Sequence, residues 1–244
     1  MTSLLHLDSS ADSSGGSVSR QLTALFARTW RARHGDSADY RYRDLAAEPV
    51  PPLDSGYCAL GRRVEQEGRL PADGVAGLAA DQAEQRAWEL TRPLVAELLA
   101  ADTVLIGAPM YNYSVSASLK AWMDRVNFPG AFTDPATGDQ LLRATRVVVV
   151  SARGGAYGPG TPREAWDFQT PYLRAYLESL GLAGQNLRFV SAEMTLSTLV
   201  PQLAEFRPLA ADSLAAARAE LTALAGLSGP AADTGLVTTG ACGG

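Results

Sequence analysis

Val104-Leu105-Ile106-Gly107-Ala108-Pro109-Met110-Tyr111-Asn112-Tyr113 begins the stretch that decides the fold, and Ser114 to Val126 (SVSASLKAWMDRV) completes it. The apolar run Val104 to Ile106, followed by small residues, reads as a strand covered on both faces, the pattern of a parallel sheet. Pro109 has no N–H for a ladder and ends the strand. Ser114 or Ser116 can cap a helix whose Leu119, Trp122, Met123 and Val126 recur at spacings of three and four. Between strand and helix lies the turn Met110-Tyr111-Asn112-Tyr113. Ligands of open α/β sheets bind beyond the carboxyl ends of the strands, so this aromatic and amide turn stands where a ligand is expected.

Working outward, the same alternation recurs. Leu4 to Leu7 is a short strand, ended by Asp8-Ser9-Ser10. Ser17 is an N-cap for a helix carrying Val18, Leu22, Leu25 and Phe26 on one face. Tyr40 to Arg43 alternates aromatic and charged residues, as an edge strand does. Residues 48–74, rich in proline and glycine, form a long excursion with a short helix expected near Arg62 to Glu67. Ala83, Ala87, Leu90, Leu94 and Leu98 mark a long amphipathic helix. Val147 to Val150 is a second fully buried strand, leading into Ser151-Ala152-Arg153-Gly154-Gly155-Ala156-Tyr157. Pro171 begins a helix ended by Gly181, Leu187 to Ala192 is the last strand, and Leu209 to Leu224 the last helix. Five strands alternating with helices predict a doubly wound parallel sheet. The most polar strand is the second, which suits an outer position in the order 2-1-3-4-5. Residues 1–225 are expected to form one domain and residues 226–244 a flexible tail.

Composition bounds the function. The 244 residues carry a net charge of −5, which gives no surface for nucleic acid. The hydrophobic share of 46% is that of a globular chain, yet no apolar run reaches membrane-spanning length. MTSLLHLDSS has no basic region and too short an apolar run for a secretory leader, and Cys58 and Cys242 make no disulfide framework. A cytoplasmic location follows as the expectation. No Gly-x-Gly-x-x-Gly turn follows the first strand, no lysine follows Gly15-Gly16, and Cys-x-x-Cys, His-Glu-x-x-His and Gly-x-Ser-x-Gly are absent. A protein metal site is therefore not expected, and a hydrolase is the poorest fit. What the strand ends do offer is a helix N-terminus among Ser10, Ser17 and Ser19, which suits a phosphate, and flat aromatics beside a glycine loop, which suit a planar heterocycle. Singly, each loop also reads as a solvated turn; together they have the shape of a flavin mononucleotide site.

At these residues the chain resembles the FMN-dependent NADH-azoreductases, which also act as NAD(P)H:quinone oxidoreductases on a flavodoxin-like fold. The resemblance runs roughly from Leu4 to Met194, and its most specific piece is Ala108 to Tyr113 with Leu119-Lys120. It implies that Ser10, Ser17, Val18 and Ser19 hold the FMN phosphate. It implies that Met110, Tyr111, Asn112, Tyr113, Ser151, Arg153, Gly154 and Gly155 line the ring. Thr170-Pro171-Tyr172-Leu173 matches the family's helix start. The resemblance further implies NADH or NADPH as donor, a quinone or azo compound as acceptor, alternating half-reactions at one site, and a homodimer. The chain departs from the family in the extra Ala152, in Val18 where glutamine is common, and in Tyr157 where histidine is common. It departs also in the loop Phe132-Thr133-Asp134-Pro135. Tyr157 and Phe132 are the expected substrate-side residues. Two other readings stay open: a flavoenzyme on this scaffold dedicated to one biosynthetic substrate, and a flavodoxin-like electron carrier.

Overall fold

Ser3–Asp8 forms β1, and the chain then crosses to helix α1, Val18–His34, where the Ser17 hydroxyl accepts the N–H of Arg20 as N-cap. This computed structural model describes residues 2–35, 37–68 and 70–227, so the expected tail lies outside the described residues apart from Gly226 and Leu227. Edge strand β2 is Asp39–Asp44. The excursion then holds α2, Ser55–Glu67, and a four-residue turn of helix, α3, Ala72–Val75. Helix α2 starts seven residues earlier than its apolar pattern suggests (67 minus 62 against 67 minus 55). Asp54 caps it by accepting the Tyr57 N–H at 2.8 Å, so the boundary is set by the cap directly after Pro51-Pro52. Helix α4 is Gln82–Leu99, β3 is Thr103–Gly107 and α5 is Ala117–Val126.

Of the two candidate caps for α5, Ser116 takes the role and accepts the Leu119 N–H at 3.2 Å. Strand β4, Arg146–Ala152, runs two residues past its valines, so Ser151 and Ala152 belong to the ladder opposite Ser191 and Ala192. Helix α6 is Gln169–Ser179, two residues ahead of Pro171, because Asp167 Oδ1 accepts the N–H groups of Gln169 and Thr170. It closes on Gly181, whose φ of 88° only glycine adopts readily. Strand β5 is Leu187–Ala192 and α7 is Arg207–Ala225.

All four strand pairings are parallel and the order is β2-β1-β3-β4-β5. Successive strand residues face opposite sides. Leu5, Leu7, Val104, Ile106, Val147 and Val149 pack with residues of α2, α4, α5 and α6. Leu4, Leu105, Val148, Val150 and Val190 pack with α1 and α7. The two-layer cover explains why the middles of the three inner strands are mostly apolar on both faces while β2, at the edge, alternates. Arg125 is fully buried and anchors the excursion: its guanidinium donates to the carbonyls of Pro51 at 3.0 Å and Pro52 at 2.7 Å. Among the described residues, no helix is long and apolar enough to cross a membrane.

Candidate active site

Parallel strands put every strand end at the same edge of the sheet, which brings three loops together beyond β1, β3 and β4. The first follows β1. Ser10 is buried, and its hydroxyl lies 3.4 Å from the Tyr111 hydroxyl, which also accepts the Ala11 N–H at 3.1 Å. The first loop is thus tied to the second. Ser17 and Ser19 are buried with their hydroxyls 3.2 Å apart at the start of α1. The first N–H groups of a helix have no partner within it. Arg20 gives its N–H to Ser17, so those of Val18 and Ser19 are left for an outside acceptor. Arg20 also holds the loop: Nη2 donates to the Ser10 carbonyl at 2.7 Å, and the guanidinium grips both Asp44 oxygens at 2.7 Å. That grip keeps the Asp44 carboxyl below the usual carboxylate range. Asp12 is likewise held low, by its hydrogen bonds from Ser14.

The second loop is a two-residue hairpin. Tyr111 and Ser114 exchange N–H to carbonyl bonds at 3.0 Å in both directions, and the residues between them, Asn112 and Tyr113, have φ of 48° and 70°. A tight turn of this kind needs positive φ at both central positions, and asparagine tolerates it while tyrosine is strained by it. The Tyr113 ring is held by edge contacts with Trp166 at 5.1 Å and Tyr157 at 6.3 Å between centroids. Met110 is fixed by donating its N–H to the Ala152 carbonyl at 2.9 Å.

The third loop starts at Arg153, with Ser151 buried in the ladder behind it. The Arg153 side chain turns inward. Its guanidinium contacts Asp167 at 3.1 Å and Glu193 at 3.3 Å and donates to Thr170 Oγ1 at 2.5 Å. The two carboxylates and the threonine hold this buried cation inward at the loop base, so that it does not reach outward. Among the described residues, the N–H groups of Gly154 and Gly155 make no hydrogen bond, so these donors stand free at the loop. Tyr157 lies at the site, against Tyr113. Phe132 does not: it is buried in the core, beside Ser179 and Leu180 at the end of α6 that lies away from the strand ends. Its apolar ring is used for packing, and within one chain it cannot meet a ligand at these loops.

The arrangement offers an anion cradle at α1, a planar wall at the hairpin, and free N–H donors at the glycine pair. A family model described as the flavodoxin-like fold matches residues 2–207. An FMN-dependent NADH:quinone oxidoreductase of Nocardia farcinica is 42% identical over 207 residues, 85% of this chain and 90% of that protein. The chain belongs to the flavodoxin-like family of FMN-dependent NADH:quinone oxidoreductases. A second member, from Streptomyces coelicolor, is 39% identical over 220 residues, 90% of this chain and 92% of the relative. An azoreductase of Bacillus anthracis, 20% identical, superposes with a TM-score of 0.73 over 93% of this chain and 99% of its own, and shows the shared fold.

At this edge of the sheet, Trp166 and the segment after β5 give no signal in the sequence. Trp166 is exposed and braces Tyr113. Residues Thr195–Thr198 and Pro201–Phe206 form two short 3₁₀ helices. They are zipped to the third loop, since Arg153 O accepts the Thr195 N–H at 3.0 Å and Gly155 O accepts that of Met194 at 3.2 Å. Their apolar residues follow neither helical nor strand period, which removed the signal.

Proposed function

We propose that this protein binds FMN at the three loops and reduces quinones, and more slowly azo compounds, with NADH as donor. The reading is carried by the convergence of the orphan N–H donors of Val18 and Ser19, the hairpin at Asn112 and the free N–H groups of Gly154 and Gly155. The residues fit the cofactor. The phosphate would lie at the start of α1, accepting from Val18, Ser19 and the Ser10 and Ser17 hydroxyls, with the helix dipole in support. Met110, Tyr111 and Tyr113 would bound the ring, and Asn112, Gly154 and Gly155 would donate to its polar edge. FMN, when bound, supplies the two-electron chemistry. The chain's own part is to orient the ring, to exclude water and to frame a flat slot with the packed pair Tyr113 and Tyr157 as one wall, where stacking favours planar acceptors. Among the described residues, no cluster of His, Cys, Asp or Glu could hold a metal ion. We further propose a homodimer closing over the site, since Trp166, Phe168 and Leu199 expose apolar surface.

The test is steady-state kinetics of the FMN-loaded protein with NADH, a quinone panel and an azo dye. Quinones should be reduced faster than the dye. Varying NADH and quinone together should give parallel double-reciprocal lines, because both substrates use one slot in turn. Absence of FMN binding at micromolar concentration, or NADH oxidation that no quinone accelerates, would overturn the reading; intersecting lines would overturn the single slot.

A further inference from the structure

The third loop has a second neighbour. A cavity of about 460 Å³ lies between Gly154, Gly155 and Tyr157 on one side and Leu196, Leu203 and Phe206 on the other. It lies in the size range of small-molecule sites, about 300–1,000 Å³. Leu209 of α7 and Met194 also line it. At one edge of the cavity Gly154 lets the loop pack directly on the far wall, since a Cβ there would meet Leu196 Cδ1 at 2.6 Å and displace that side chain. The polar groups of the wall are largely spent internally. The single Thr161 hydroxyl proton is shared between the carbonyls of Gly158 at 2.8 Å and Ala156 at 3.2 Å, and Gly155 O already accepts from Met194. One charged group remains at the junction with the glycine pair: Arg163 Nη1, 3.2 Å from where a Gly155 Cβ would sit. A largely apolar hollow with one donor beside it is the lining that takes an apolar chain attached to a polar head.

We propose that this cavity receives the alkyl or prenyl side chain of an amphiphilic quinone, whose ring lies in the slot walled by Tyr157 with an oxygen toward Arg163. The inference rests on the quinone reductase reading above and narrows it from flat quinones to chain-bearing ones. Tyr157 is the wall that the cavity and the ring slot share, since it lines the one and packs on Tyr113 in the other. The reaction is unchanged; the chain contributes binding only.

The experiment uses FMN-loaded protein and benzoquinones of identical ring substitution with chains of zero to ten carbons. Two readouts are taken: kcat/KM at fixed NADH, and calorimetric binding of each quinone to the oxidised protein. In the native chain both should improve roughly two- to fourfold for each of the first methylenes and then level off as the cavity fills. Leu203→Asp, which places a charge in the cavity, and Leu209→Trp, which fills it, should flatten both series. The chainless quinone should stay within about twofold, and FMN content reports that each variant is folded. A flat series in the native chain, with the chainless quinone reduced well, overturns the cavity assignment and leaves the reductase reading standing. A chain dependence that survives in both variants also overturns the assignment. Chain-dependent binding without turnover would support the cavity and sink the reductase reading, and absence of both sinks both.

Discussion

Arg20 is the residue on which the phosphate loop hangs. It joins the end of β2 to the end of β1 through Asp44 and the Ser10 carbonyl, and its own N–H closes the Ser17 cap. A charge-assisted bond of this kind is worth about 1.5–3 kcal/mol when one partner is removed. Arg20→Gln should therefore weaken FMN by about tenfold or more, and riboflavin by less, because the loop it shapes is the phosphate end. Arg20→Lys should recover little, since an ammonium cannot grip two carboxylate oxygens and a carbonyl in one plane. Titration of flavin fluorescence decides it; unchanged FMN affinity in Arg20→Gln would show that the loop holds its shape without the guanidinium.

At the scale of elements, the hairpin between β3 and α5 carries strain that its sequence does not relieve. Asn112 and Tyr113 both sit at positive φ, and left-handed backbone costs an ordinary residue roughly 1–2 kcal/mol. The strain is held by the paired bonds of Tyr111 and Ser114 and by the rings of Trp166 and Tyr157 around Tyr113. Asn112→Ala should lower stability by about 1 kcal/mol in urea unfolding, whereas Asn112→Gly should be neutral or slightly stabilising. Asn112→Gly also separates backbone from amide. If the amide donates to the ring, the glycine variant should keep its fold and shift the flavin absorption spectrum. An unshifted spectrum would remove Asn112 from the ring's edge.

For the whole molecule, pH dependence follows from groups buried between layers. Burial pushes the Tyr176 hydroxyl well above its ordinary value, and it donates to the Met123 carbonyl at 2.7 Å. Burial also raises Tyr57, which donates to the Asp124 and Asn127 carbonyls at 3.0 Å each. A phenol whose folded pKa is raised contributes stability that is complete below the unfolded value of about 10 and is lost as pH climbs above it. The urea midpoint should hold steady to about pH 9 and fall beyond pH 10, and Tyr176→Phe should flatten that fall while costing some stability at neutral pH. On the acid side the sign reverses. The Arg20 hydrogen bond lowers Asp44, so its contribution is present above about pH 4 and is lost as pH drops through the depressed value. An alkaline limb equally steep in the Tyr176→Phe variant would assign it to other groups.

The sheet could be read from local pattern. Buried runs at Val104 to Ile106 and Val147 to Val150, a polar alternation at Tyr40 to Arg43 and a serine ahead of α1 each depend on residues within a few positions, and together they impose a parallel order with β2 outermost. The strand-end loops were legible for the same reason, since a parallel order puts them at one edge. Other features come from contacts between distant segments, to which local period is blind. Arg153 looks like a ligand-facing cation until Asp167 and Glu193, 14 and 40 positions away (167 − 153 and 193 − 153), are seen to enclose it. Phe132 is expected on the substrate side, yet it lies buried beside the end of α6. Asp54 sets the start of α2 by its cap rather than by apolar spacing, and buried Arg125 ties down the prolines ahead of it. The cavity beside the glycine pair forms where the 3₁₀ segment after β5 folds back on the third loop. Periodicity and capping act over a few residues and are written in the chain; burial of a charge, the filling of a core and the shape of a hollow depend on which distant segments meet.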